Sequence, residues 1–206
     1  RRIATQGYWR VHDHGLLPSL KDTSLLFLDG EYAELAPLGR PVLTLIPTAM
    51  FGPPEKVWSD KVETTTPGLV FTDHGKGRVA YVPWDVGGLY YRHSSQGHAG
   101  LVADVIDSLL PNGRQLKTNA HPLVELTVRD QPARKRTLVH LVNGTGHSDT
   151  AYFPPLELRD IRIDLARGFT RATAASTGSH LPVTSQGGYG SFTVPSLKAY
   201  EVVVIE

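Results

Sequence analysis

Residues 82–95, V-P-W-D-V-G-G-L-Y-Y-R-H-S-S, bring together side chains that could do chemistry or bind a ligand. The candidates are Asp85, Tyr90, Tyr91, Arg92 and His93. A carboxylate and an imidazole can exchange protons with a substrate, whereas tyrosine and arginine favour binding surfaces. Because no partner constellation accompanies them, we assign no catalytic residue. We interpret the stretch as a surface for a sugar or a neighbouring subunit.

A purely structural role for the same stretch is the alternative. Trp84 and Tyr91 can pack over the edge of a sheet, Arg92 can pair with Asp85, and Gly87-Gly88 can form a tight turn. The stretch follows a predicted strand, and functional groups of parallel α/β sheets gather beyond strand ends. The residues alone leave both interpretations open.

Other carboxylates could serve a glycosidase, namely Glu31, Glu34 and Glu55 together with Asp85. Retaining hydrolysis needs two carboxyl groups about 5 Å apart across the sugar, which spacing in sequence cannot establish. Glu55 follows two prolines in a rigid turn that suits the presentation of a side chain, so we include it among the binding or interface candidates. No catalytic pair is assigned.

His12-Asp13-His14 places two imidazoles on one side of an extended segment, a geometry that can chelate a metal. No third or fourth ligand can be named. The alternative is that the segment starts or caps a helical turn near Leu16-Leu17-Pro18. We therefore predict no metal site and no cofactor.

The elements that would position these groups are of α/β type in the first half of the chain. Residues 24–29 and 41–46 are short apolar runs, typical of strands buried on both faces of a parallel sheet. Glycines between residues 68–71 and 77–83 predict a hairpin. An apolar stripe at helical period predicts a helix over 97–110, capped by Ser94 or Ser95 and stopped by Pro111.

From about Leu116 the pattern becomes all-β. Residues 124–129, 137–143, 161–165 and 199–205 alternate or are β-rich, and turn residues separate them. This predicts a small antiparallel β-sandwich. We place an α/β domain at 1–114 and the sandwich at 115–206.

Composition excludes several classes of function. The chain has 206 residues, a net charge of +1 and no cysteine. No basic excess indicates nucleic acid as a partner, and no apolar run reaches the roughly 20 residues that span a bilayer. The chain begins at Arg1 and its single methionine is Met50, so we expect a processed chain or a piece of something longer. The compartment stays unknown.

Several segments resemble a known family. Residues 75–83, G-K-G-R-V-A-Y-V-P, with the tyrosine-rich loop and helix that follow, look like the last strand–helix unit of the β-galactosidase trimerisation domain, a glutamine-amidotransferase-like flavodoxin fold. Residues 51–55 and 29–32 resemble loops of an amylase-like branch of this group of bacterial glycoside hydrolases. Residues 137–143 and 200–206 look like its C-terminal β-domain.

The resemblance implies a partial flavodoxin-like domain, possibly truncated at its N-terminus, followed by a sandwich. Amidotransferases use a Cys-His-Glu triad, so the absence of cysteine excludes their chemistry here. Glycoside cleavage would occur in an upstream barrel, which needs about 250 residues. We therefore predict a non-catalytic accessory or assembly region of a carbohydrate-active enzyme. Its expected partners are that barrel, a second copy of the chain and a saccharide; neither nucleic acid nor membrane is expected.

Two alternatives remain. A carbohydrate-binding module would use an aromatic platform, with Tyr152, Phe153 and Tyr189 as candidates. A small independent hydrolase would use Asp85, His93 or Glu55. Three further motifs are interpreted as turns: the sequon-like Asn143-Gly144-Thr145, residues 186–190, and the basic residues 134–136.

Overall fold

The computed structural model describes residues 2–36, 41–48, 52–56, 64–148 and 150–206. Within them, two compact units are found, Arg1–Gly113 and Arg114–Glu206. Both are built mostly of antiparallel β-sheet. Met50 and Phe51, both used in the sequence analysis, lie outside the described residues. Among the described helices, none is both long and apolar enough to cross a bilayer.

Among its described residues, the first unit contains five strands, two α-helices and two short 3-10 helices. The strands are β1 (Arg2–Val11), β2 (Leu25–Ala33), β3 (Leu43–Ile46), β4 (Pro67–His74) and β5 (Gly77–Tyr81); the helices are α1 (Val86–His93), α2 (Gln96–Leu109) and the 3-10 turns Pro18–Leu20 and Pro54–Lys56. The sheet order is β2-β1-β3-β4-β5.

The sheet of the first unit curls until its two ends meet. Tyr32 of β2 forms an antiparallel bridge with Trp84, just beyond β5. The amide of Ala33 also donates to the carbonyl of Pro83 at 2.7 Å. We call this junction the seam. It brings residues 82–85 beside β2, although the two segments are far apart in sequence.

The hairpin and the second helix are confirmed. β4 and β5 pair in antiparallel register around Gly75, whose φ of 60° is the left-handed conformation that glycine adopts readily. Helix α2 begins after Ser95 and ends before Pro111, although the Ser95 side chain makes no capping hydrogen bond. Its buried face includes Leu101 and packs in the core of the first unit.

The expectation of parallel pairing is wrong for these described strands, whereas burial on both faces holds for β3, in which Leu43, Thr44 and Leu45 are all buried. β2 and β3 each pair antiparallel with β1, which the sequence analysis did not identify as a strand. The apolar run in β2 has another cause: Leu26 and Leu28 point into the core, whereas Leu25 and Phe27 on the opposite face remain 41% and 37% exposed. The flavodoxin-like arrangement is not confirmed.

The second unit is β-sandwich-like, as predicted. Its strands are β6 (Leu116–Thr118), β7 (Val124–Gln131), β8 (Arg136–Asn143), β9 (His147–Ser148), β10 (Ala151–Tyr152), β11 (Leu158–Leu165), β12 (Ala172–Ala174), β13 (His180–Leu181), β14 (Thr184–Gln186), β15 (Tyr189–Leu197) and β16 (Tyr200–Ile205). Sheets of order β14-β15-β11-β6 and β13-β12-β16-β8-β7 contribute to one apolar core. The glycine-rich turn at 187–188 lies in the β14–β15 hairpin, as expected.

Candidate functional site

A cleft of about 460 Å³ opens along the seam of the first unit. We call it the seam cleft. Its lining residues come from three places: the start of β1, the second half of β2, and the segment from the end of β5 into α1. They are Arg2, Asp29, Gly30, Glu31, Tyr32, Ala33, Tyr81, Val82, Pro83, Trp84, Asp85 and Arg92. Two of the candidate residues, Asp85 and Arg92, therefore lie in one cavity with groups that they do not neighbour in sequence.

Asp85 holds the beginning of helix α1. Its carboxylate accepts a hydrogen bond from the amide of Gly88 at 2.8 Å, which is the N-cap interaction that satisfies an otherwise unpaired helical amide. A Cβ at Gly88 would lie 2.0 Å from Asp85 Oδ2, so glycine is needed for this close approach. The carboxylate thus has a structural partner while its residue also lines the seam cleft.

Arg92 contacts Asp29 of β2. Its Nη1 lies 4.0 Å from Asp29 Oδ2, and its Nη2 donates to the Asp29 carbonyl at 3.4 Å. Gln6 on β1 donates to Asp29 Oδ1 at 3.2 Å. The expected pairing of Arg92 with Asp85 is not the one found, because seven residues of helix separate these positions by about two turns, or 10 Å.

The seam also contains a second ion pair. Arg2 Nη1 lies 3.8 Å from Glu31 Oε2, with both side chains largely exposed. Glu31 was among the carboxylates named from the sequence, whereas Arg2, Asp29 and Tyr81 were not proposed as site residues. Their convergence depends on the curl of the sheet, for which the sequence carries no local signal.

Trp84 forms the floor beneath this region. It is buried, stacks on Trp9 with ring centroids 5.7 Å apart, and donates from Nε1 to the Gly68 carbonyl at 2.9 Å. The expected packing of Trp84 on the sheet is therefore found. Tyr91 does not pack there, since its side chain is 87% exposed.

The remaining candidates of α1 have different surroundings. The ring of His93 contacts Phe27 edge-on at 5.8 Å, and Phe27 contacts Tyr8 at 6.2 Å. Tyr90 is half-buried, and its carbonyl accepts the Ser94 amide at the end of the helix. These residues are close to the seam cleft along the chain without being among its lining residues.

Glu55 and Glu34 are exposed and do not line the seam cleft. Glu55 lies in the 3-10 helix Pro54–Lys56. The structure therefore brings Asp85, Arg92 and Glu31 together and leaves Glu55 apart from them.

His12 and His14 contact different groups. Nε2 of His12 lies 2.7 Å from the Thr44 hydroxyl, and Nδ1 of His14 lies 2.9 Å from the Leu20 carbonyl. Asp13 accepts the amides of Gly15 and Leu16, which fits the alternative of a capped turn. Within the described residues, no group of three or more histidine, aspartate or glutamate side chains is arranged to hold a metal ion.

Of the three residues proposed as an aromatic surface of the second unit, two are exposed and one is half-buried. Tyr152 and Phe153 are 82% and 66% exposed, and the ring of His147 lies 4.9 Å from that of Tyr152. Tyr189 is instead half-buried: its hydroxyl donates to the Arg114 carbonyl at 2.7 Å and Lys117 covers its ring at 4.4 Å. Only the first two residues present a free aromatic surface.

Asn143 is a buried structural residue. Its amide nitrogen donates to the carbonyls of Leu156 at 2.7 Å and Lys198 at 2.5 Å, and its Oδ1 accepts from the Thr145 hydroxyl at 2.8 Å. The sequon-like motif therefore ties loops together at the end of β8. In the folded chain, this amide nitrogen is not presented to solvent.

A charged network lies at the opposite end of β8. The Thr137 hydroxyl donates to Asp130 at 2.6 Å, and Arg167 Nη1 lies 2.6 Å from the same oxygen. The Thr137 hydrogen bond, followed by that of Arg167, holds the pKa of Asp130 below its ordinary value of 3.8. The carboxylate is thereby kept ionised, which makes it a structural anion rather than a proton donor at neutral pH.

The sequence matches no protein-family model, and no curated protein sequence matches it. The fold does have solved counterparts. The α-L-fucosidase isoenzyme 2 of Paenibacillus thiaminolyticus aligns with 99% of this chain at a TM-score of 0.71 and 20% identity. The chain spans 32% of the length of that fucosidase.

A second solved protein, a cycloisomaltooligosaccharide glucanotransferase from Paenibacillus sp., aligns with 53% of this chain and 20% of its own at 17% identity. Its TM-score of 0.32 is too low to support an argument. The first comparison establishes that the chain has the same fold as about a third of that fucosidase.

Proposed function

We propose that this chain is a non-catalytic accessory region of a carbohydrate-active enzyme whose catalytic barrel lies in another part of the parent protein. The supporting observation is that almost the whole chain aligns with about a third of an α-L-fucosidase. The resemblance of residues 75–83 and 137–143 to the C-terminal regions of glycoside hydrolases points to the same class. An α-L-fucoside is accordingly the first substrate to test on the parent protein.

The contacts of the carboxylates agree with a non-catalytic role. Asp85 is used as a helix cap, while Asp29 and Glu31 each lie beside a guanidinium group. Each of these carboxylates is already engaged by a protein group, as a helix cap or in an ion pair. The seam cleft therefore favours binding over proton transfer.

Assembly is the second part of the proposal. The exposed residues of α1, notably Tyr91, suit contact with the barrel or with a second copy of the chain, because tyrosine is enriched in such interfaces. This part rests on the resemblance to trimerisation domains. The oligomeric state of the parent protein with and without this region tests it.

The experiment compares the purified chain with the parent protein. Aryl glycosides, beginning with 4-nitrophenyl α-L-fucoside, are supplied to each. We expect turnover by the parent and none by the chain, together with binding of the chain to the separately produced barrel. Turnover by the chain that is lost on Asp85→Asn would contradict the proposal and favour an independent hydrolase. A monomeric chain that binds neither barrel nor saccharide would also contradict it.

A second candidate function is that of a carbohydrate-binding module in the second unit. The exposure of Tyr152 and Phe153 beside His147 favours it, since a free ring face can stack on a sugar. Affinity electrophoresis of Tyr152→Ala and Phe153→Ala in saccharide-containing gels tests this candidate. Unchanged retardation of both variants would remove it.

A further inference from the structure

We propose that the outer face of β1 and β2, together with the seam cleft into which it leads, binds a neutral saccharide. This inference names a ligand class for the proposed accessory region and rests on that function. It places the sugar on the first unit rather than on the Tyr152–Phe153 surface of the second. Two rows of side chains on this face, one aromatic and one polar, support the proposal.

The first row consists of aromatic rings packed edge to face, at interplanar angles of 61° and 81°, and we call it the aromatic platform. Tyr8 and Phe27 are directly opposite each other in the β1–β2 register, with ring centroids 6.2 Å apart, and His93 extends the row from α1 at 5.8 Å from Phe27. Tyr8 and Phe27 remain 46% and 37% exposed. The negative face of such a ring attracts the weakly positive C–H groups on one side of a sugar.

The second row is polar and lies next to the platform on the same face. Gln6 and Asp29 are opposite each other two residues along from Tyr8 and Phe27. Side chains two residues apart on a strand share a face and are about 7 Å apart. Arg92 joins this row through Asp29, so amide, carboxylate and guanidinium groups adjoin the rings.

The polar row continues into the seam cleft. Glu31 lies two residues beyond Asp29, and Arg2 contacts it. Asp85 and the half-exposed ring of Tyr81 form another part of the lining. A volume of about 460 Å³ lies within the range of small-molecule sites. Carboxylates accept and guanidinium groups donate hydrogen bonds, so the cleft can satisfy hydroxyl groups of either role.

The balance of charge selects a neutral ligand. Among the described lining residues, three carboxylates, Asp29, Glu31 and Asp85, accompany two guanidinium groups, Arg2 and Arg92. An anion would meet the carboxylates, and a cation would compete with arginines already placed beside them. A polyhydroxy compound avoids both penalties.

Stability alone gives little reason for these ion pairs. In the Arg92–Asp29 pair the side chains are 50% and 31% exposed, and in the Arg2–Glu31 pair they are 82% and 62% exposed. Exposed pairs of this kind contribute little to the free energy of folding. The fold therefore does not depend on these pairs, and their exposed groups can exchange partners with a ligand.

Amide chemical-shift mapping of the ¹⁵N-labelled chain tests the inference. Lactose, maltotriose and D-galactose are the neutral probes, while D-galacturonate and inorganic phosphate are the charged ones. We expect neutral probes to shift amides of Phe27, Asp29 and Arg92 and to leave Tyr152 and Phe153 unchanged. Shifts confined to the second unit, stronger shifts with phosphate, or no shifts with any neutral probe up to its solubility limit would overturn the proposal.

Variants assign the binding to the two rows. We expect Phe27→Ala and Gln6→Ala each to weaken the association by about threefold to tenfold, the range for a ring contact or a hydrogen bond. Gln6 is exposed, so its replacement leaves the core intact even if Phe27→Ala disturbs folding. Ile106→Ala removes an exposed apolar side chain of α2 that belongs to neither row and does not line the cleft, so this control should bind normally.

Wild-type affinity in both Phe27→Ala and Gln6→Ala would contradict the inference. The outcome is separable from the proposed accessory function. If the chain still binds the catalytic barrel but no saccharide, only the present inference fails.

Discussion

The indole of Trp84 stacks on the indole of Trp9 across the seam of the first unit, with ring centroids 5.7 Å apart and planes inclined at 29°. This contact joins the segment after β5 to the middle of the sheet. Because Trp84 immediately precedes the cap of α1, the stack fixes the base from which Asp85, Arg92 and His93 project. Residues 82–95 are therefore both a structural joint and one wall of a cleft.

The first prediction concerns this stack. We expect Trp84→Ala to reduce the free energy of unfolding of the first unit by about 3–5 kcal/mol, because it removes a buried ring and leaves a cavity. Urea unfolding followed by near-UV circular dichroism measures the change. Tyr91→Ala, an exposed aromatic deletion in the same region, should cost about 0.5 kcal/mol or less. Equal losses of stability in the two variants would contradict the placement of Trp84 in the core of the first unit.

Asp85 provides the second prediction. As an N-cap, it should tolerate replacement by asparagine, which caps equally well, whereas Asp85→Ala should cost about 1 kcal/mol of stability. Thermal unfolding of the two variants makes the comparison. A loss as large for Asp85→Asn as for Asp85→Ala would show that the negative charge, rather than the cap, is what the fold requires.

Asn143 provides the third prediction. Asn143→Asp directs a carboxylate at the carbonyl oxygens of Leu156 and Lys198 in place of a donor. We expect a loss of about 3 kcal/mol or more at neutral pH, since buried acceptors lose their partner and a charge is desolvated. Acid should restore part of this stability, because the protonated carboxyl can donate one hydrogen bond.

The control for Asn143→Asp is Asn112→Asp, which adds the same charge at an exposed turn. Its stability should differ little from that of the wild type. Comparable losses in both variants would attribute the effect to net charge and contradict the buried network.

The fourth prediction is a pH dependence in the second unit. The pKa of Asp130 is lowered in the folded chain by the Thr137 hydrogen bond and then by Arg167. The folded state therefore binds fewer protons than the unfolded state. The stabilisation that the Asp130 carboxylate contributes is present above its ordinary pKa of 3.8. It is lost as the pH falls through the lower pKa of the folded state.

Melting temperatures recorded from neutral pH into the acid range test this prediction. Asp130→Asn should lower the melting temperature of the second unit at neutral pH and make its decline in acid shallower. Asp22→Asn, an exposed change in the first unit, should leave the second unit unaffected. A wild-type decline with the same slope as that of Asp130→Asn would contradict the role of this carboxylate.

The sequence predicted the elements whose signals are local. The stripe from Leu101 to Leu109 identified α2, and the glycines at 75 and 77 identified the β4–β5 hairpin. The alternation in β7, β8 and β11 was sufficient for the sandwich. In the helix and the sandwich strands, the spacing of apolar residues reflects the period of one element, and in the hairpin glycine marks the turn.

The sheet topology and most of the cleft could not be predicted in this way. Leu25 and Phe27 made β2 look buried on both faces, although their own face is partly exposed. Asp29 was not proposed as a site residue because its partner Arg92 is 63 residues away in the sequence. That contact exists because the bridge between Tyr32 and Trp84 closes the curl, and such a closure depends on the whole sheet.

The central proposal is that this chain is an accessory region of an enzyme whose catalytic barrel lies outside it. The most direct measurement is the nucleotide sequence flanking the codons for Arg1 and Glu206. The account predicts a continuous reading frame that encodes a (β/α) barrel with acidic residues at its strand ends. A complete frame with no barrel on either side would contradict it, and the seam cleft would then have to be tested as the active site of an independent protein.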